Sequence, residues 1–110
     1  MKALVIDDSV AARHFIGNIV RELGFDVVES ADGKQALTAL NADSSFDIAL
    51  IDWNMPVMNG LEFVQEARKN SAFANIKFMM VTTETEMNNV IAALGAGADE
   101  YVMKPFSKDI

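Results

Sequence analysis

The chain has 110 residues, 51% of them hydrophobic and 23% charged, which suits one compact domain with an ordinary core and argues against disorder. Nine Lys plus Arg against sixteen Asp plus Glu leave a net charge of −7. That balance speaks against a nucleic-acid surface, which is built from clustered cations, and the lack of any cysteine excludes disulfides, thiolate metal sites and cysteine nucleophiles.

Five short apolar runs alternate with segments of helical period. The first run, Ala3–Ile6, stops at Asp7-Asp8, too short for the core of a signal peptide. Nothing in the chain approaches the roughly 18 apolar residues of a membrane span, so a cytoplasmic domain without membrane contact is expected. A helical stripe of Ala12, Phe15, Ile16, Ile19 and Leu23 follows, closed by Gly24. Val27-Val28 with their flanks make the second run, and Asp32-Gly33 lead into a stripe of Ala36, Leu37 and Leu40. Ile48–Ile51 is the third run, succeeded after Asn59-Gly60 by Leu61, Val64 and Ala67. Phe78–Val81 is the fourth, then Met87, Val90, Ile91 and Leu94 ended by Gly95 and Gly97, and Tyr101–Met103 is the fifth. Asp, Asn or Ser before a helix and Gly after it are the expected caps. Continuous rather than alternating runs fit strands covered on both faces, and the βαβαβαβαβ order predicts a parallel sheet with right-handed crossovers.

Ligands of open α/β sheets bind beyond the carboxyl ends of the strands, so the residues that follow each run matter most. They are Asp7-Asp8, then Asp52-Trp53-Asn54-Met55-Pro56, then Thr82-Thr83-Glu84, then Lys104-Pro105-Phe106. Two carboxylates ~5 Å apart repel by about 3 kcal/mol at an effective dielectric near 20, so three together call for a cation. Lys104 and one divalent ion would balance Asp7, Asp8 and Asp52. Oxygen ligands favour Mg²⁺ or Mn²⁺ over zinc, and such a neutralised site suits a phosphoryl group. Taken singly, Asp7-Asp8 reads as a helix cap, Asp52 as a turn residue and Lys104 as a solvated lysine. Their joint placement at the strand ends is what favours a phosphoacceptor site. His14, the one histidine, reads as a surface or packing residue, and the methionines at 79, 80, 87 and 103 as filler.

Four motifs carry a resemblance: Val5-Ile6-Asp7-Asp8-Ser9, Asp52-Trp53-Asn54-Met55-Pro56 with Gly60, Val81-Thr82-Thr83-Glu84, and Tyr101-Val102-Met103-Lys104-Pro105-Phe106. In this order, across residues 2 to about 107, the chain resembles the receiver domains of bacterial two-component response regulators, and most of all the stand-alone chemotaxis regulators. The resemblance implies a single receiver domain over 1–110 with a flavodoxin-like, doubly wound five-stranded sheet in the order 2-1-3-4-5. It implies that Asp52 takes a phosphoryl group from a histidine kinase, a phosphotransfer protein or acetyl phosphate. Asp7 and Asp8 would hold Mg²⁺ with the Asp52 carboxylate and the Asn54 backbone carbonyl. Lys104 would pair with Asp52 at rest and with the phosphoryl group afterwards, Thr82 would swing toward that group, and Tyr101 would change rotamer. Asn54 and Glu84, two beyond Asp52 and two beyond Thr82, would modulate a comparatively fast loss of phosphate. Such a chain is a signalling switch acting on its own phosphorylation, not a turnover enzyme, and its output is a downstream protein or a fused domain.

Rival readings fit less well. A flavodoxin needs a hydroxyl- and glycine-rich loop where Asp7-Asp8-Ser9-Val10 stands, and Gly95-Ala96-Gly97 lacks the third glycine of a dinucleotide motif. A haloacid dehalogenase-type phosphatase wants Asp-x-Asp on the first strand. The remaining alternative is a phosphorylation-independent receiver-like interaction module, which usually lacks one of the acids or the lysine present here. Receivers continue through a fifth helix, which Ser107-Lys108-Asp109-Ile110 would only begin, so a missing or truncated final helix and a homodimer through that face are expected. The segment Thr85-Glu86-Met87-Asn88-Asn89 has no basic residue, which weakens an equation with flagellar-motor binding.

Overall fold

Every apolar run forms a strand and every stripe a helix. The computed structural model describes residues 1–83 and 87–104, and of Met87 the backbone alone. In chain order it contains β1 (Lys2–Ile6), α1 (Val10–Glu22), β2 (Asp26–Ser30), α2 (Gly33–Ala42), β3 (Ile48–Ile51), α3 (Gly60–Arg68), β4 (Lys77–Thr82), α4 (Met87–Ala96) and β5 (Glu100–Met103). A short 3-10 turn at Ser71–Phe73 leads into β4. The expected caps supply the helix starts. Ser9 accepts from Ala12 N, Asp32 accepts from Gln35 N, and Asn59 forms a reciprocal capping box with Glu62. Gly24 and Gly97 follow α1 and α4 with φ of +97° and +116°, a region that side chains with a Cβ resist.

The five strands are all parallel, in the order β2-β1-β3-β4-β5. The chain winds outward from β1 to β2 and then returns to β3 on the other side, so the topological switch point lies between β1 and β3. Alternation along the strands splits the core. Ala3, Val5, Leu50 and Val81 pack against Ile16 and Val20 of α1. On the opposite face Leu4, Ile6, Ile51, Phe78 and Met80 pack against Ala36, Leu40, Phe63, Val64, Ala67 and Ala93 of α2, α3 and α4. β1 and β3 are thus covered on both sides, the physical reason their sequences read as unbroken apolar runs.

The stripes of two helices need correction. Phe15 and Leu23 of the α1 stripe are 54% and 52% exposed, while Ile16, Gly17 and Val20 are buried. On α4, Ile91 and Leu94 are 60% and 46% exposed, and the small Ala93 makes the buried contact. Each helix lies on the sheet along a strip narrower than its apolar arc, which sequence period alone does not reveal. Residues 105–110, where the expected fifth helix would open, lie outside the described residues, which hold four α-helices. No helix among the described residues is long and apolar enough to cross a membrane.

Candidate functional site: an acidic pocket at the carboxyl end of the sheet

Strand register assembles the pocket. Ile6 pairs with Ile51, so the chain delivers Asp7 and Asp52 side by side as it leaves β1 and β3 at the switch point. Both are tied by backbone bonds, Asp52 N to Ile6 O at 2.9 Å and Asp7 N to Ser30 O at 3.1 Å. Asp7, Asp8 and Asp52 each offer one carboxylate oxygen, and these atoms lie within 4.8 Å of one another. Asp7 and Asp52 are buried, whereas Asp8 is exposed. Across β4 and β5, Thr82 pairs with Met103, and the backbone N–H of Lys104 donates to Thr82 O at 3.0 Å. That places a buried hydroxyl and an ammonium at the same rim. Lys104 Nζ donates to Asp7 Oδ2 at 2.8 Å and stands 3.6 Å from Asp52 Oδ1, so its nearer partner at rest is Asp7. The Thr82 hydroxyl helps hold down the pKa of the Asp52 carboxyl, and the N–H of Ser9 donates to Asp7 Oδ1 at 2.9 Å.

Burial and the neighbouring Asp7 charge push the Asp52 carboxyl above its ordinary pKa, against the pull of Lys104 and the Thr82 bond. For Lys104, burial works to lower the ammonium's pKa, but the bond to Asp7 and the charges of Asp52 and Asp7 outweigh it and leave the group raised. The pocket therefore holds more negative charge than its one lysine satisfies. Three carboxylate oxygens within 4.8 Å of one another, one of them on an exposed side chain, suit a hard divalent cation with water completing its shell.

The loop after Asp52 is built close against that residue. A Cβ on Gly60 would lie 2.4 Å from the Asp52 carbonyl oxygen and 2.8 Å from Met80 Cε, so only glycine lets α3 begin there. Val57, in the same loop, is the one residue other than glycine with positive φ among the described residues, at +69°. Asn54 sits exposed two residues past Asp52. Tyr101 is half-buried, pairs with Met80 in register and packs against the core under α2–α4. Glu84, Pro105 and Phe106 lie outside the described residues. Sequence reading missed Arg13, whose Nη1 donates to the carbonyl of Asp7 at 2.8 Å. Its only signal is a basic residue one turn into the helix that follows the aspartates.

Residues 3–110 match the response regulator receiver domain family. The chain belongs to that family. This receiver is 42% identical to Chemotaxis protein CheY1 of Helicobacter pylori, over the whole of its own chain and 90% of that relative. It is 40% identical to a chemotaxis protein CheY homolog of Campylobacter jejuni, over 85% of that protein. Among solved structures, chemotaxis protein CheY4 of Vibrio cholerae superposes with a TM-score of 0.91 at 34% identity, covering 98% of the receiver and 89% of that chain. Receivers are signalling modules, and in this one the acidic pocket is formed by Asp7, Asp8 and Asp52.

Proposed function

We propose that this chain is a single cytoplasmic phosphoacceptor receiver that takes a phosphoryl group onto Asp52 and passes the change to a partner or a fused output domain. The donor is the phosphohistidine of a kinase or phosphotransfer protein, or a small acyl phosphate. The observation that carries the reading is the position of Asp52, buried, 3.6 Å from Lys104 and with a carboxylate oxygen within 4.8 Å of those of Asp7 and Asp8. Asp7, Asp8, the Asp52 carboxylate and the Asn54 backbone carbonyl would hold Mg²⁺ or Mn²⁺. The ion, when bound, cancels the repulsion among the acids and draws charge from the phosphoryl oxygens.

The chain's own residues do the rest. An ionised Asp52 oxygen forms the new O–P bond while the donor's P–N bond, or the P–O bond of an acyl phosphate, breaks and its electron pair stays on the departing imidazole or carboxylate. Lys104 favours the ionised acid beforehand and meets a phosphoryl oxygen afterwards, which requires it to leave Asp7 Oδ2. Transfer turns a charge of −1 into about −2. Lys104 and Thr82 are drawn inward, the paired ends of β4 and β5 move with them, and Tyr101 follows by changing rotamer. One local charge thereby biases a two-state element. Asn54 and Glu84 would set how soon water removes the group.

Incubation with acetyl phosphate and Mg²⁺, followed by intact-mass and peptide analysis, tests the reading. The wild type should gain one phosphoryl group on Asp52, and Asp52→Asn none. An unmodified wild type, or a label placed elsewhere, would overturn the proposal. Partner binding identical in wild type and Asp52→Asn, with and without donor, would instead identify a phosphorylation-independent interaction module.

A further inference from the structure

Arg13 enters the pocket from behind. It lies on the second turn of α1, where its backbone N–H bonds Ser9 O at 2.9 Å, and its side chain is only 15% exposed. The guanidinium spans two acceptors. Nε donates to Glu29 Oε1 on β2 at 3.1 Å, and Nη1 donates to the backbone carbonyl of Asp7 at 2.8 Å. Glu29 is held in turn by Arg21, whose Nη2 donates to Oε2 at 3.1 Å, and His14 Nδ1 stands 3.6 Å from the same oxygen.

The carbonyl that Arg13 grips belongs to the peptide joining Asp7 to Asp8. Asp7 has independent anchors, because its carboxylate accepts from Ser9 N and from Lys104 Nζ. Asp8 has none: no hydrogen bond to its exposed carboxylate is found among the described residues. Its direction therefore follows from the plane of the peptide that precedes it, and that plane is held on its oxygen side by a rigid, nearly buried fork. A planar guanidinium can bridge a carboxylate and a carbonyl at once, whereas an ammonium on a flexible stem does not hold both in fixed geometry.

We propose that Arg13, locked by Glu29, is a positioning residue of the acidic pocket: it fixes the Asp7–Asp8 peptide and so aims Asp8 at the divalent cation. The inference rests on the reading that the pocket binds Mg²⁺ and adds to it a residue that never touches the ion. Charge and geometry make opposite forecasts here. Arg13 is a cation near an acidic site, so by Coulomb attraction alone its removal should tighten metal binding. By positioning, its removal should weaken binding, as loss of the groups that orient metal ligands does elsewhere, by about tenfold or more.

Calorimetric titration of the full chain with MgCl₂ tests this, with thermal melting followed in parallel without metal. Arg13→Met keeps the apolar stem and removes the charge, and Arg13→Lys keeps the charge and loses the fork. Positioning requires both variants to bind Mg²⁺ more weakly, Met by about tenfold and Lys by less. Unchanged affinity in a less stable protein would make Arg13 a purely structural tie, and tighter binding by Arg13→Met would make it an electrostatic one. Either result overturns the proposal while leaving the proposed function standing. If Arg13→Met does not fold, Arg13→Lys alone decides, because charge alone predicts no change for it. A wild type that binds no Mg²⁺ would remove both readings together.

Discussion

At Asp52 two demands oppose each other. The proposed role requires an ionised carboxylate to attack phosphorus, yet burial and Asp7 hold its carboxyl above the ordinary value of 3.8. An acid whose pKa is higher folded than unfolded binds more protons when folded, so it costs stability once pH passes the folded value. Without metal, Asp52→Asn should therefore stabilise the protein at pH 7, by about 1 kcal/mol or ~4–8 °C in melting temperature. The gain should shrink as pH falls through the raised value toward 3.8 and should also disappear in saturating Mg²⁺, both readable by calorimetry. An equal gain at every pH would sink the idea that Asp52 is held in tension. Lys104 behaves in the opposite sense. Its raised pKa contributes stability that is complete below 10.5 and is lost as pH climbs through the folded value. The sequence disclosed these residue types at the strand ends, since a strand's last residue decides what reaches the rim. It did not disclose that Lys104 would sit nearer Asp7 than Asp52, a choice between two acids a few ångströms apart that only rotamers and burial make.

Among the elements, the β3–α3 connection is the tightest. It must turn the chain from Asp52 into a helix whose first residue lies against the Asp52 carbonyl, with a hypothetical Gly60 Cβ only 2.4 Å from that oxygen. Gly60→Ala has to push either the helix or the Asp52 backbone, at about 1–3 kcal/mol, and on the proposed function the phosphoryl level reached with acetyl phosphate should fall with it. Val57 carries the other strain. Met58 N donates to Pro56 O at 2.7 Å, closing a three-residue turn around a β-branched residue at φ +69°. Because Val57 is 75% exposed, no packing compensates on its side. Glycine tolerates that conformation, so Val57→Gly should raise stability by about 1 kcal/mol in a denaturant melt. A loss would show that the turn is relaxed as it stands. The helices themselves were legible through caps and period. Their buried faces were less so, because the true contact on α4 is Ala93, too small to stand out beside Ile91 and Leu94.

Over the whole molecule, parallel strands give the sheet two unlike rims. The carboxyl rim gathers Asp7, Asp8, Asp52, Thr82 and Lys104, and mutual repulsion makes it costly without an ion. At the amino rim one side chain ties the approaches to β4 and β5 together. Arg68, at the end of α3, donates to the carbonyls of Gly97, Phe73, Ala74 and Ile76 and to Asp99 Oδ2, and its guanidinium carbon lies 4.0 Å from the centroid of the Phe78 ring. Those acceptors precede β4 and β5, so a single arginine joins α3, the 3-10 turn and the C-terminal end of α4 at the far side from the chemistry. Neither this clamp nor the strand order could be read from residue types. Carbonyl acceptors carry no sequence signal, and which parallel strands become neighbours is a long-range choice that entered through the family resemblance. Arg68→Met strands several part-buried carbonyls and should cost about 2–4 kcal/mol. If the rims are energetically separate, the folded variant should bind Mg²⁺ as tightly as the wild type and be phosphorylated to the same extent, with only its melting temperature lowered. A matching loss of Mg²⁺ affinity would instead mean that β4 and β5 transmit displacement along their length. The signal proposed to start at Thr82 and Lys104 would then reach the base of α4 through the strands as well as through the loops at the rim.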